Sequence, residues 1–271
     1  MPAEVIVVTG AGGMGVACAR RLGPGRTVLL ADNREPVLRA VADDLVTAGY
    51  HVHTGIVDVA RQESVRELVH RAAALGPLRT LVHTAGLSPT MADPDRILAV
   101  DLLGTAHVLA EFEAVAAPGS VAVVIASMAA LGAVVGPDTE QLLATAPVAE
   151  LPVTAAQAGT PTPGDAYCFA KRANQLRVQA AAAPWGRKGA RVVSISPGII
   201  ATGMGMQELE SDESGPMMRE MIASSPVPRL GTAEDVAAAV EWLSGPSASF
   251  VTGVDLMLDG GVVAAGRFPT R

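Results

Sequence analysis

The sequence predicts an α/β protein, a single doubly wound parallel sheet of about seven strands with helices on both faces. Three observations carry that expectation. Short apolar runs alternate with longer stretches of helical periodicity along the chain. A glycine-rich turn stands between the first apolar run and the first helical stretch. Hydrophobic residues make up 49% of the 271 positions but aromatics only 3%, so small aliphatic side chains must fill the interior, as suits helices packed close on a parallel sheet.

Residues 4–9 read as the first strand, and the glycine turn leads into a helix that runs to Leu22. Residues 27–31 form the second strand, ending at Asp32, and 36–48 the next helix. A third strand over 50–57 ends at Asp58, followed by a helix over 63–74 and a fourth strand over 78–83. A long helix is expected over 93–116. The run 121–126 has no polar residue, the pattern of a central strand buried on both faces. A helix over 166–185, a strand over 190–195, a helix over 232–243 and a strand over 254–258 complete the alternation. Right-handed crossovers then bring the carboxyl ends of the strands to one edge, where ligands bind in such sheets.

Two segments break the rhythm. Residues 133–164 are rich in Ala, Pro, Thr and Gly, and 203–228 carries Met204, Met206, Met217, Met218 and Met221 among acidic residues. Both are expected to be insertions or lids rather than sheet elements. With no internal repeat, one domain over 1–271 is the simplest organisation.

A net charge of −7 without a basic patch argues against nucleic acid or an anionic membrane as partner. Cys18 and Cys168 provide no disulfide framework, and no basic segment precedes an apolar one at the start of the chain. No uncharged apolar run reaches the roughly 18 residues of a membrane span. These points lead to the expectation of a cytoplasmic protein. No metal site is expected either, since His83 has no second ligand at a suitable spacing.

The turn Thr9-Gly10-Ala11-Gly12-Gly13-Met14-Gly15 follows a strand and opens a helix. Gly10, Gly12 and Gly15 fit G-x-G-x-x-G, the phosphate turn of a Rossmann-type dinucleotide site. Free N–H groups and the positive end of the helix dipole would face the pyrophosphate. Asp32, 17 residues beyond Gly15, stands where an acid holds the adenosine ribose hydroxyls and repels a 2′-phosphate, which favours NAD(H) over NADP(H). Arg34, two residues on, points the other way. Asp58 suits either a hydrogen bond from the adenine amino group or a helix cap.

Tyr167-Cys168-Phe169-Ala170-Lys171 sets a phenol and an ammonium on one helix face, one turn apart. A nearby cation stabilises phenolate, which makes such a tyrosine an acid/base for carbonyl reduction. Ser127 ends the apolar run of 121–126, where its hydroxyl could reach a substrate oxygen.

With these pieces in order, the chain resembles the short-chain dehydrogenase/reductase family over nearly its whole length. The matching segments are the Thr9–Gly15 turn, Asp58-Val59, Ala85-Gly86, Ser127, Tyr167 with Lys171, Ser196-Pro197-Gly198 with Thr202, Arg229-Leu230-Gly231 and Asp259-Gly260-Gly261. The resemblance implies Tyr167 as acid/base and Ser127 as partner of the substrate oxygen. It implies that Lys171 binds the nicotinamide ribose and lowers the Tyr167 pKa. Gly10, Gly12, Gly13, Met14, Gly15, Asp32, Asp58, Val59, Ala85 and Gly86 would hold the dinucleotide, with Pro197, Gly198, Ile200 and Thr202 along its nicotinamide end. Residues 203–228 would be the substrate lid.

Within the family, the likeness is greatest to bacterial 3α-hydroxysteroid dehydrogenase/carbonyl reductases, which also carry a long insert between Ser and Tyr; here 40 positions separate Ser127 from Tyr167. In that subgroup the insert blocks the usual helix-bundle contact. A homodimer or homotetramer is the implied assembly. Three departures stand out: the glycine turn is one residue shorter than usual, His83-Thr84-Ala85-Gly86 replaces an Asn-Asn-Ala-Gly segment, and Asp101 stands where the family's relay has Asn. The leading expectation is an NAD(H)-linked oxidoreductase for a secondary alcohol or ketone, with a steroid or other bulky apolar substrate suggested by the lid methionines. Two alternatives stay open: an NADPH-dependent carbonyl reductase, and a dinucleotide-binding sensor or scaffold without catalysis.

Overall fold

The computed structural model describes residues 3–268. Its first half alternates strand and helix: β1 (Val5–Thr9), α1 (Gly13–Leu22), β2 (Thr27–Asp32), α2 (Glu35–Thr47), β3 (His51–Ile56), α3 (Gln62–Leu75) and β4 (Leu78–His83). Next come α4 (Pro94–Ile97), a π-helical turn over Leu98–Leu103, α5 (Gly104–Glu113) and β5 (Val121–Ile125). The seven strands form one parallel sheet in the order β3-β2-β1-β4-β5, continued by β6 (Arg191–Pro197) and β7 (Asp255–Leu258). The expected fold class is therefore the observed one. β5 lies inside the sheet, between β4 and β6, with every residue buried.

The order reverses between β1 and β4. Chain from β1 goes one way to β2 and β3; chain from β4 goes the other. That reversal opens a crevice at the carboxyl ends of β1 and β4. Two cores back the sheet. On one face Val7, Leu29 and Leu81 pack with Leu68, Phe112 and Trp185, from α3, α5 and α8 (Pro163–Gly186). On the other, Val8, Leu30 and Ile195 pack with Cys18, Leu38 and Val240, from α1, α2 and α11 (Ala233–Ser244), which follows the 203–228 segment.

The stretch 133–164 adds no strand, as expected, but it is helical: α6 (Pro137–Thr145) and α7 (Leu151–Ala158). Leu143, Leu151 and Ala155 form a third core with Leu102 and Ala106 and with Phe169, Ala173 and Leu176 of α8. The insert thus covers the outer side of α8 and of the segment around Leu102. The expected helix over 93–116 is broken by the π turn, in which Asp101 is wholly buried. Helix α8 begins a turn earlier than its apolar pattern suggested. Thr162 and Asp165 form a reciprocal capping box there, and Pro163 occupies the first turn, where no N–H is needed. Residues 203–228 form α9 (Gly203–Glu210) and α10 (Gly215–Ser224), and a terminal helix, α12 (Val262–Arg267), was not anticipated. Among the described residues no helix is long and apolar enough to cross a membrane.

Candidate active site

The glycine turn closes tightly on the crevice. Gly10 has φ +96°, and a Cβ there would lie 2.6 Å from Thr84 Oγ1. A Cβ on Gly15 would overlap the Gly10 carbonyl oxygen, so the turn and α1 touch backbone to backbone. The Thr84 hydroxyl locks this arrangement by donating to the carbonyl oxygen of Thr9 at 2.9 Å. Gly12 is different. It precedes α1 in an extended conformation with no side-chain cap, and a Cβ there would meet nothing within 4 Å. The first N–H groups of α1 therefore face an open cradle, which fits a pyrophosphate.

At the end of β2, Asp32 is buried, and its carboxylate accepts from the Ala11 N–H at 2.8 Å and the Arg34 N–H at 2.9 Å. The Arg34 guanidinium pairs with it at 3.3 Å while remaining 56% exposed. The acid is thus tied directly to the phosphate turn. Asp58 accepts from the Ala60 N–H at 3.1 Å in a turn ahead of α3, and Arg96 lies 3.8 Å away. It is not the cap of α3, which starts after Arg61. Val59 is buried against Gly104. Ala85 flanks Gly10, and Gly86 lies over the Asp101–Lys171 contact, where a Cβ would be 3.2 Å from Asp101 Oδ2 and from Lys171 Nζ.

Tyr167 and Lys171 occupy one face of α8, with Lys171 Nζ 5.3 Å from the centre of the phenol ring. Ser127 faces the phenol from the end of β5 and caps the short helical turn that follows by accepting from the Ala129 N–H at 3.1 Å. Lys171 Nζ reaches Asp101 Oδ2 at 3.1 Å, with the two side chains 7% and 0% exposed, and lies 3.5 Å from the Ile125 carbonyl oxygen. The Leu87 N–H donates to the other Asp101 oxygen at 2.8 Å. This is the geometry of a carboxylate paired with an ammonium.

Charge and burial pull against each other here. Burial pushes the Tyr167 hydroxyl up, while Lys171 and Ser127 pull it down and Asp101 and Glu208 push it further up. Lys171 therefore acts in the expected direction, but the net direction is upward: removing the phenol from water outweighs one cation whose charge Asp101 partly cancels. Burial lowers Lys171, but Asp101 and Tyr167 hold its ammonium above the ordinary lysine value. Burial raises Asp101 against the opposing pull of Lys171 and the Leu87 amide.

His83 takes no part in the cavity. Thr9 Oγ1 lies 2.7 Å from its Nδ1, and Thr105 Oγ1 lies 3.1 Å from its Nε2, so a hydroxyl engages each ring nitrogen. Burial depresses its pKa to about 3.

A cavity of about 610 Å³ opens beside Ser127 and Tyr167. Met14, Ser127, Tyr167, Pro197, Gly198, Ile200 and Thr202 line it, together with Met204, Met217, Met218 and Met221 from the 203–228 segment. Met206 is exposed and does not line it, contrary to its grouping with the others. Thr202 caps α9 by accepting from the Gly205 N–H at 3.2 Å, and a Cβ on Gly13 would lie 3.1 Å from its methyl group. α9 therefore starts directly beside the glycine turn. The lining residues that sequence reasoning did not single out include Pro89, Met128, Leu131 and Cys168, Glu208 within the 203–228 segment, and Val263 and Arg267 on α12. A signal for α12 was present: Asp259 accepts from the Gly261 and Val263 N–H groups, and Gly260 and Gly261 both have positive φ.

Comparison with known proteins matches residues 4–137 to the family described as short chain dehydrogenase and residues 144–263 to the one described as enoyl-(acyl carrier protein) reductase. A short-chain dehydrogenase/reductase of Alternaria brassicicola is 35% identical over 97% of both chains. A 2-(S)-hydroxypropyl-CoM dehydrogenase of Xanthobacter autotrophicus is 33% identical over 96% of this chain and 97% of its own. Among solved structures, the 3-alpha-hydroxysteroid dehydrogenase of Pseudomonas sp. B-0831 complexed with NADH superposes with a TM-score of 0.79 at 26% identity, over 99% of this chain and all of its own.

Proposed function

The chain belongs to the short-chain dehydrogenase/reductase family, and from that premise we propose that it is an NAD(H)-dependent oxidoreductase acting on a secondary alcohol or ketone. The observation that carries the reading is the meeting of Tyr167, Ser127 and the Lys171–Asp101 pair at the cavity end of β5, beside an open phosphate cradle. Bound NAD would supply the hydride acceptor or donor. Tyr167 gives a proton to the carbonyl oxygen during reduction and takes it back during oxidation. Ser127 hydrogen-bonds that same oxygen and orients it. Lys171 holds the cofactor ribose and supplies positive charge beside the phenol, and Asp101 keeps that ammonium fixed and charged.

Gly10, Gly12, Gly13, Met14 and Gly15 hold the pyrophosphate. Asp32 reads the adenosine ribose, while Asp58, Val59, Ala85 and Gly86 line the adenine side. Pro197, Gly198, Ile200 and Thr202 flank the nicotinamide. A bulky apolar substrate, such as a steroid or alicyclic alcohol, suits the methionine-lined lid and the cavity volume. We take a cytoplasmic setting with this reading, in keeping with the two free cysteines.

The test is turnover of a panel of steroid, alicyclic and small polar alcohols with NAD or NADP at equal concentration. NAD-linked oxidation of the bulky alcohols supports the proposal; turnover confined to small polar alcohols defeats the substrate assignment. Arg34, exposed beside Asp32, favours a second reading in which NADPH is the cofactor. Higher kcat/KM with NADPH would establish it. Tight NADH binding without turnover of any substrate would instead favour a sensor.

A further inference from the structure

Two charged side chains line the cavity, Glu208 on α9 and Arg267 on α12. Arg267 is exposed, so water screens whatever it meets. Glu208, itself on α9, is half-buried and close enough to Tyr167 for its charge to oppose phenolate formation. Its backbone is held on both sides. Thr202 caps the helix that carries it, and the Ser214 hydroxyl donates to the Glu208 carbonyl oxygen at 2.8 Å while sitting 2.7 Å from the Ser211 hydroxyl. Its carboxyl forms no ion pair among the described residues and has the Ser88 hydroxyl as a hydrogen-bond donor. Burial pushes this carboxyl above the ordinary glutamate range, against the pull of Ser88. One donor leaves the other lone pairs of this half-buried carboxyl free to accept a further hydrogen bond on the cavity side.

We propose that Glu208 is a specificity-determining residue that accepts a hydrogen bond from a second hydroxyl of the substrate, so that the enzyme prefers diols and hydroxyketones with an apolar frame over simple secondary alcohols. The proposal rests on the oxidoreductase reading above. A hydroxyl fits better than an ammonium, because moving a neutral donor into a methionine-lined cavity costs far less than moving a charge. The reacting oxygen lies against Ser127 and Tyr167, and the second hydroxyl lies on the lid side of the same cavity. Glu208 therefore fixes which carbinol of a diol reaches the nicotinamide.

The experiment compares kcat/KM for cyclohexanol with that for the 1,2-, 1,3- and 1,4-cyclohexanediols, using NAD and the wild-type protein, Glu208→Leu and Glu208→Gln. A site that hydrogen-bonds a hydroxyl discriminates strongly against an analogue lacking it, and half-burial of Glu208 reduces that to about tenfold or more. We expect the wild type to favour at least one diol by that factor. Glu208→Leu should abolish the preference, read as the ratio of diol to cyclohexanol kcat/KM at one pH so that any change in Tyr167 acidity common to both substrates cancels, and Glu208→Gln should restore part of it because an amide still accepts. Absence of a diol preference in the wild type, or equal loss on both substrates in Glu208→Leu, overturns the role of Glu208 alone. Retained NADH binding with no alcohol oxidised overturns the oxidoreductase reading and this proposal with it.

Discussion

Tyr167 is a phenol whose titration is contested by its neighbours. Burial and Asp101 hold its proton on; Lys171 and Ser127 favour its loss. Two outcomes follow from this balance. Tyr167→Phe removes the proposed proton donor and little volume, so turnover should fall about 10²- to 10⁴-fold while NADH affinity stays within a few-fold. Steady-state rates and a fluorescence titration measure the two separately. Asp101→Asn removes a carboxylate that raises the Tyr167 pKa, so that pKa should fall. Alcohol oxidation needs the phenolate, and its rising limb should therefore move to lower pH. The same change leaves Lys171 buried without its counterion, at a cost of about 3 kcal/mol in stability. A pH–rate profile together with urea unfolding checks both parts; a limb that stays put would mean that the Asp101 charge is not felt at the phenol.

Elements matter here for what they aim. The π turn over Leu98–Leu103 widens the helix where Asp101 must meet both Lys171 and the Leu87 N–H, and such turns recur at functional positions. His83 joins β4 to β1 through Thr9 and to α5 through Thr105. Its folded-state pKa of about 3 lies below the ordinary 6.5, so between those values the unfolded chain binds a proton that the native state refuses. Its contribution to stability is complete above pH 6.5 and is lost as pH falls toward 3. The loss is about 1.4 kcal/mol per pH unit, or about 2 kcal/mol by pH 5. His83→Asn should flatten that acid limb in urea titrations at pH 7 and pH 5; an unchanged slope would show that His83 is not the group responsible. In the insert, Leu151 is fully buried, so Leu151→Ala should cost about 2–5 kcal/mol, read in the same urea experiment.

At the scale of the whole molecule, the cofactor cradle gathers β1, β2, β4 and the start of α9 at one sheet edge. A ligand there should stabilise all of them together. NADH at 100 times its Kd adds about 2.7 kcal/mol, enough to raise the melting temperature by roughly 5–10 °C. NADPH at the same concentration should raise it less if Asp32 faces the adenosine ribose as proposed. A larger shift with NADPH would reverse the cofactor assignment. The insert helices α6 and α7 already occupy the outer side of α8, which withdraws that surface from a partner. Of the two assemblies expected, we therefore favour the homodimer, and light scattering that returns a tetramer would contradict this.

The sheet was legible because its signals are local. Each strand is an apolar run bounded by turn residues, and the phosphate turn, the Tyr167–Lys171 spacing and Ser127 at the end of β5 all rest on short-range geometry. The same holds for the Thr162–Asp165 box, a start signal that the apolar pattern of α8 obscured. What local pattern could not convey was the balance of forces at the site. The direction of the Tyr167 pKa depends on burial by elements more than 30 residues distant, including β5 and the π turn that carries Asp101. Glu208 likewise reads as one more acid on a polar helix until α9 folds over the cavity and the chain around Ser88 comes beside it. Periodicity and spacing sufficed for the elements, and so for the fold class, and for putting Tyr167 and Lys171 on one helix face, since these signals are local; desolvation and through-space charge are sums over neighbours that come together only when the sheet, insert and 203–228 segment are assembled.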